Sequence, residues 1–158
     1  MDNIVIDTNS LIMSISSRSG YHRIWQSFLA GDFTLCISNE MLEEYAEVIA
    51  RNISVNAARY VIYTIMEREN VRQIVPSYRW NLITADPDDN KFVDCAIAAN
   101  ARFIVTEDHH FNVLKEIPFP SVPVVNIDEF LSELESRYSW LLNPQNKKYT
   151  KRTVPLVY

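Results

Sequence analysis

Carboxylates in four separate stretches carry the chemistry this sequence could do. They are Asp7 in Asp7-Thr8-Asn9, a glutamate group at Glu40, Glu43, Glu44 and Glu47, the run Asp86-Pro87-Asp88-Asp89, and Thr106-Glu107-Asp108. Carboxylates gathered on one spot repel one another, so some protonate or the site opens unless a cation joins them. Hard divalent ions such as Mg²⁺ or Mn²⁺ take carboxylate oxygens and water and need neither cysteine nor histidine. One or two such ions can activate a water and stabilise the leaving oxygen of a phosphodiester. No serine, cysteine or lysine is set beside a matching base as a covalent nucleophile would be.

The elements that must position these acids follow from hydrophobic pattern and cap residues. Asn3–Ile6, Phe33–Ile37, Val71–Val75, Phe103–Thr106 and Pro123–Val125 predict five short strands, mostly β-branched. Helices are predicted over residues 9–17, 21–30, from Ser38 as N-cap to about Arg51, and from Val55 to Glu69. Asp86 as N-cap, Pro87 at the first helical position and Asp89 at the third predict a helix to Asn100. Asn126, with Glu129 three residues on, predicts a capping box for the last helix. Residues 77–85 read as an irregular connection.

Strands alternating with helices predict an α/β fold, a three-layer α/β/α sandwich around a mostly parallel sheet of about five strands. In such sheets ligands bind beyond the carboxyl ends of the strands, where Asp7 and Asp108 fall. Rotation at about 100° per residue puts Met41, Leu42, Tyr45, Val48 and Ile49 on one helix face. Glu44 lies at the border of that face, whereas Glu40, Glu43 and Glu47 point to solvent.

Composition narrows the alternatives. The chain has 158 residues, 47% hydrophobic and 22% charged, the normal range of one globular domain. Two glycines exclude the glycine-rich nucleotide loops. Two cysteines, Cys36 and Cys95, exclude a disulfide framework or a four-cysteine zinc site and read as buried, inert thiols. No signal peptide or membrane span is expected, so the expectation is a cytoplasmic domain with no membrane partner. The formal charge is −5 for the chain; Lys147, Lys148, Lys151 and Arg152 give the last twelve residues +4 and leave −9 on residues 1–146. The boundaries are therefore read as a domain over 1–143 and a basic tail over 144–158. Such a tail could meet RNA or an acidic partner, or be a solvated end.

Taken together, Val5-Ile6-Asp7-Thr8-Asn9, Ile37-Ser38 with Glu44-Tyr45, Asp86-Pro87-Asp88-Asp89-Asn90-Lys91-Phe92, Phe103-Ile104-Val105-Thr106-Glu107-Asp108 and the closing Val124-Val125 resemble the PIN domain family. Their order and spacing over about residues 3–134 resemble most its branch of toxins from bacterial toxin–antitoxin pairs. The resemblance implies a metal-dependent endoribonuclease that hydrolyses RNA phosphodiester bonds with Mg²⁺ or Mn²⁺. It further implies a homodimer and a partner antitoxin. The metal-binding, catalytic acids would fall on Asp7, Glu44, Asp89 and Asp108, with Asn9, Ser38 and Thr106 as supporting polar residues. Asp86 and Asp88 are close enough to Asp89 for a small shift in register to exchange the role; Asp94, on a different helix face, is left out.

Blander roles stand beside these. Asp7 and Asp108 could be turn residues, Glu44 a solvated helix residue, and Asp89 a capping acid. His109-His110 could offer metal ligands but reads as loop, because neighbouring histidines project differently and no cysteine or third histidine is near. Trp25, Trp80 and Trp140 read as core or dimer packing, and the helix around Val55–Met66 as a candidate partner surface. Other functions fit less well. A phosphoacceptor receiver wants two adjacent acids after the first strand and a lysine after the last, and neither is present. A phosphohydrolase with an aspartyl nucleophile wants Asp-x-Asp, where Asn9 stands instead. A catalytically silent PIN fold acting through a protein partner remains the alternative.

Overall fold

In the computed structural model, which describes residues 1–145, five strands form one all-parallel sheet. They are β1 (Asn3–Ile6), β2 (Thr34–Ile37), β3 (Val71–Gln73), β4 (Phe103–Val105) and β5 (Val124–Val125), in the order β3-β2-β1-β4-β5. The helices are α1 (Thr8–Ile15), α2 (His22–Leu29), α3 (Asn39–Asn52), α4 (Val55–Glu67), α5 (Asn90–Ala99) and α6 (Ile127–Leu142). The expected α/β/α sandwich is therefore the architecture, with the sheet parallel throughout. The basic residues of the tail, from Lys147 on, lie outside the described residues.

Helices cover both faces because both faces of the sheet are apolar. Ile4, Val5, Ile6, Phe103, Ile104 and Val105 are all buried, the continuous hydrophobic run of a parallel strand rather than an alternating one. On one face α5 packs across β1, β2 and β4 through its buried Val93, Cys95 and Ala96. Elsewhere Phe130 of α6 meets Phe33 and Phe103 edge-on at 5.2 and 5.5 Å, and Phe28 of α2 joins them through Phe33. Both cysteines are free and buried.

The caps fall where the sequence puts them, with local revisions. The Ser38 hydroxyl accepts from Met41 N, and Asn126 with Glu129 closes a capping box on α6. β3 is shorter than expected: Ile74 N still donates to Ile37 O at 2.7 Å, but Pro76 has no N–H to continue. The helix expected from Asp86 begins instead as a 3-10 turn, Pro87–Asp89, and becomes α-helical only at Asn90. Asp86 accepts from Asp88 N at 3.2 Å, a bond that tightens the first turn. His109 and His110, expected in a loop, open a 3-10 segment running to Glu116.

What positions a site is the strand order. The chain moves outward from β1 to β2 and β3, then returns to place β4 and β5 on the other side of β1. β1 and β4 are thus neighbours at the point where the winding reverses, and the crevice beyond their carboxyl ends is where such sheets bind ligands.

Candidate active site

Asp7 leaves β1 still held by the sheet. Its N–H donates to Val105 O at 3.0 Å, which sets the ends of β1 and β4 level. Its carboxylate caps α1, with Oδ1 accepting from Ser10 N at 2.8 Å, while Oδ2 accepts from the Thr106 hydroxyl. The same Thr106 oxygen accepts from Asp108 N at 3.0 Å, and Asp108 Oδ1 accepts from His110 N at 2.8 Å. Asp7 and Thr106 are buried. A continuous hydrogen-bonded line therefore runs from Asp7 through Thr106 to Asp108 and His110. Glu107 takes no part in it: its carboxylate turns to Ile127 N at 2.6 Å, at the start of α6.

Asp89 meets this line from the start of α5. Oxygens of Asp86, Asp89 and Asp108 and a ring nitrogen of His110 all lie within 4.8 Å of one another. His110 Nδ1 sits 3.1 Å from Asp108 Oδ1 and 3.6 Å from Asp89 Oδ2, within ion-pair reach. Among the described residues neither His110 Nδ1 nor Asp89 Oδ2 has a hydrogen-bond partner, although both atoms are buried. Burial first, and then the charges of Asp108 and Asp86, push the Asp89 carboxyl from 3.8 up to about 7, against the opposing pull of His110. Burial also raises Asp7, while the hydrogen bonds from Thr106 and Ser10 work against it. The cluster thus holds more negative charge than its surroundings neutralise.

Glu44 stands beside this group and outside it. It is half-buried, whereas Glu40, Glu43 and Glu47 are exposed. Its Oε2 accepts from the hydroxyl of Thr8, the residue after Asp7, and its Oε1 lies 3.3 Å from Lys91 Nζ. α3 is held in place by Tyr45, fully buried, whose hydroxyl donates to Ile6 O just before Asp7. Of the expected helper residues, Thr106 joins the line and Ser38 is engaged as the α3 cap. Asn9 is exposed, and its side chain has no hydrogen bond among the described residues. Asp88 is exposed; Asp94 is buried on another face of α5, accepting from Trp80 N at 3.1 Å.

Two members of the cluster are ones that sequence reasoning sets aside: Asp86, read as an N-cap and a register alternative to Asp89, and His110, weighed as a metal ligand and then read as loop. The tight turns that start the two 3-10 segments bring them in. For His110 the available signal is Asp108 two residues earlier, since an aspartate commonly bonds the backbone N–H two residues on and curls the chain back.

Carboxylate oxygens with one imidazole nitrogen make a donor set able to hold a divalent cation, and the orphaned Asp89 oxygen and its raised carboxyl fit a cation at this place.

Comparison with known proteins gives two results. A sequence profile of the PIN domain matches residues 3–110. Among solved structures, the fold is similar to that of VapBC2 from Rickettsia felis bound to a DNA fragment from their promoter, with a TM-score of 0.55 and 20% identity, covering 78% of this chain and 98% of that one. It is also similar to DNA-bound VapBC from Salmonella typhimurium, with a TM-score of 0.51 and 14% identity over 80% of this chain and 99% of that one. No curated protein is matched.

Proposed function

The chain belongs to the PIN domain family, and on that premise we propose that it is a metal-dependent endoribonuclease, the toxin of a toxin–antitoxin pair. Its substrate is RNA, its cofactor Mg²⁺ or Mn²⁺, and its working form a cytoplasmic homodimer restrained by an antitoxin. The toxin assignment draws on the likeness in fold to the two VapBC structures. No helix among the described residues is long and apolar enough to cross a membrane.

The observation that carries the proposal is the charge deficit at the end of β1 and β4, where Asp86, Asp89 and Asp108 meet with His110 and Asp7 joins them through Thr106. Asp89 and Asp108, gathered with Asp86 and His110, would hold the ion, Asp7 would join them from the Thr106 line, and Glu44 stands beside Thr8. When bound, a divalent ion supplies an activated water and charge stabilisation for the phosphodiester. The chain's own residues do the positioning. Thr106 orients Asp7 by donating to Oδ2, and Ser10 N fixes Oδ1, so the carboxylate cannot rotate away. Thr106 also holds the Asp108 backbone, coupling the two strand ends. Thr8 and Lys91 hold Glu44 beside the cluster, and Lys91 offers a cation at its rim.

The test is incubation of the purified protein with labelled single-stranded RNA and Mn²⁺ or Mg²⁺, with EDTA and Asp7→Asn in parallel. Cleavage should be lost in both controls while Asp7→Asn stays folded. Full activity in Asp7→Asn would overturn the site, and absence of cleavage with either ion on a panel of RNAs would favour the silent alternative.

A further inference from the structure

The connection between β3 and the turn at Pro87 is built more firmly than its irregular backbone requires. α5 grips it at two points with buried polar side chains. Asn90 accepts from Ile83 N at 2.9 Å and donates to Ile83 O at 2.8 Å. Asp94 accepts from Trp80 N at 3.1 Å. Between the two anchors Asn81 takes a left-handed conformation, φ 51°, which asparagine tolerates better than most residues. The grip fixes the short stretch Tyr78-Arg79-Trp80 against the body of the protein.

That stretch displays an aromatic pair with a cation between. Tyr78 is 62% exposed and packs edge-to-face on the half-buried Trp80, with ring centroids 4.7 Å apart. Arg79 reaches Glu40 at 3.0 Å with both side chains largely in solvent, an ion pair weak enough to exchange for a phosphate. Arg79 lines a cavity of about 200 Å³ together with Ser38, Pro76, Lys91 and Asp94. This is several times the roughly 30 Å³ share of one water molecule. Lys91, in the cavity wall, pairs with Glu44 at 3.3 Å and is two residues from Asp89.

A chain of net charge −5 repels nucleic acid at long range, so affinity must come from local contacts. Stacking on aromatic rings and a few short-range cations supply such contacts without depending on sequence. We infer that Tyr78, Arg79, Trp80 and Lys91 form a nucleotide subsite that receives a base and a flanking phosphate of single-stranded RNA beside the acid cluster. The inference rests on the nuclease assignment of that cluster and adds where the strand enters it.

The experiment measures binding of a short fluorescein-labelled oligouridylate by anisotropy in EDTA, and its cleavage with Mn²⁺, for the full chain. Tyr78→Ala and Trp80→Leu should each weaken binding on the order of ten-fold, while Trp80→Phe keeps most of it. Arg79→Ala should reduce the slope of log affinity against log salt by about 0.7, the loss of one phosphate contact on a single strand. With Mn²⁺ the aromatic variants should raise KM and leave kcat nearly unchanged, the mark of lost substrate binding. Circular dichroism and thermal melting keep folding defects apart, and Tyr78→Ala, at an exposed position, is the safest variant. No binding by the wild type, or wild-type affinity in folded Tyr78→Ala and Trp80→Leu, overturns the subsite. Binding that depends on Tyr78 and Trp80 without cleavage of the oligouridylate or of a panel of RNAs upholds the subsite and overturns the nuclease assignment. Cleavage that ignores both residues does the reverse.

Discussion

Replacing Asp89 by asparagine should make the metal-free protein more stable at neutral pH, and the effect should grow with pH. In the fold its carboxyl sits at about 7 against an ordinary 3.8, chiefly from burial and then from Asp108 and Asp86. A carboxyl raised in the native state holds its proton after the unfolded chain has released it. Its contribution to stability is therefore fully present below about pH 4, falls as pH rises, and is lost above about pH 7. A tenfold change in a proton's binding constant corresponds to about 1.4 kcal/mol, so the full displacement sets a ceiling of about 4 kcal/mol. Water reaching the carboxylate, 15% exposed, screens this to about 2 kcal/mol. For a chain of this length that is about 4–8 °C in Tm. The measurement is urea or thermal unfolding in EDTA near pH 5 and near pH 8, wild type against Asp89→Asn. The variant should gain on the wild type as pH rises. Added Mn²⁺ should close the gap or reverse it by stabilising the wild type, by about 2.7 kcal/mol at a hundred times its Kd. A difference that does not change with pH, or a variant less stable than wild type at pH 8, would refute the charge-deficit account.

Three further outcomes are expected. Tyr45→Phe leaves the buried Ile6 carbonyl without its donor and should cost about 1–3 kcal/mol in urea unfolding; no loss would show that the bond does not hold α3. Thr106→Val removes both the donor to Asp7 and the acceptor of Asp108 N, so Mn²⁺ affinity by calorimetry should fall about ten-fold, and unchanged affinity would dismiss its positioning role. Asn126→Ala breaks the capping box of α6 and should cost about 1 kcal/mol of stability while leaving any RNA cleavage untouched.

Much of the fold is legible in the sequence because its signals are local. Short apolar runs mark all five strands, and Ser38 and Asn126 mark helix starts through bonds spanning three residues. Rotation along α3 separates half-buried Glu44 from its exposed neighbours, since α3 stays regular from Asn39 to Asn52. That Asp7 and Asp108 share one end of the sheet follows from each lying just beyond a strand of a parallel sheet. What escapes depends on contacts distant in sequence or on tight turns. The loop position of His110 gives no sign that its ring reaches Asp89, which lies on another element. The anchoring of residues 74–86 rests on Asn90 and Asp94, and helix rotation says only that Asp94 faces away from Asp89. That side chain faces the connection instead.

The carboxylates are not equivalent in the metal-free chain, and the difference follows from which of them the chain's own cations reach. Glu44 has the Thr8 hydroxyl on one oxygen and the Lys91 ammonium beside the other. Asp7 has two well-anchored donors, Ser10 N and the Thr106 hydroxyl. Among the described residues Asp89 has only the ring of His110, at 3.6 Å and without hydrogen-bond geometry, while Asp108 and Asp86 press on it. An arriving cation therefore gains most at Asp89 and Asp108 and least at Glu44, where it would have to displace an existing partner. Glu44 and Lys91 then form the boundary between two environments, with excess negative charge on the β1–β4 side and the arginine–aromatic stretch on the β2–β3 side. On the proposed nuclease reading, a polyanion with flat bases suits that division, with its scissile phosphate toward the acids and its neighbouring base at the rings.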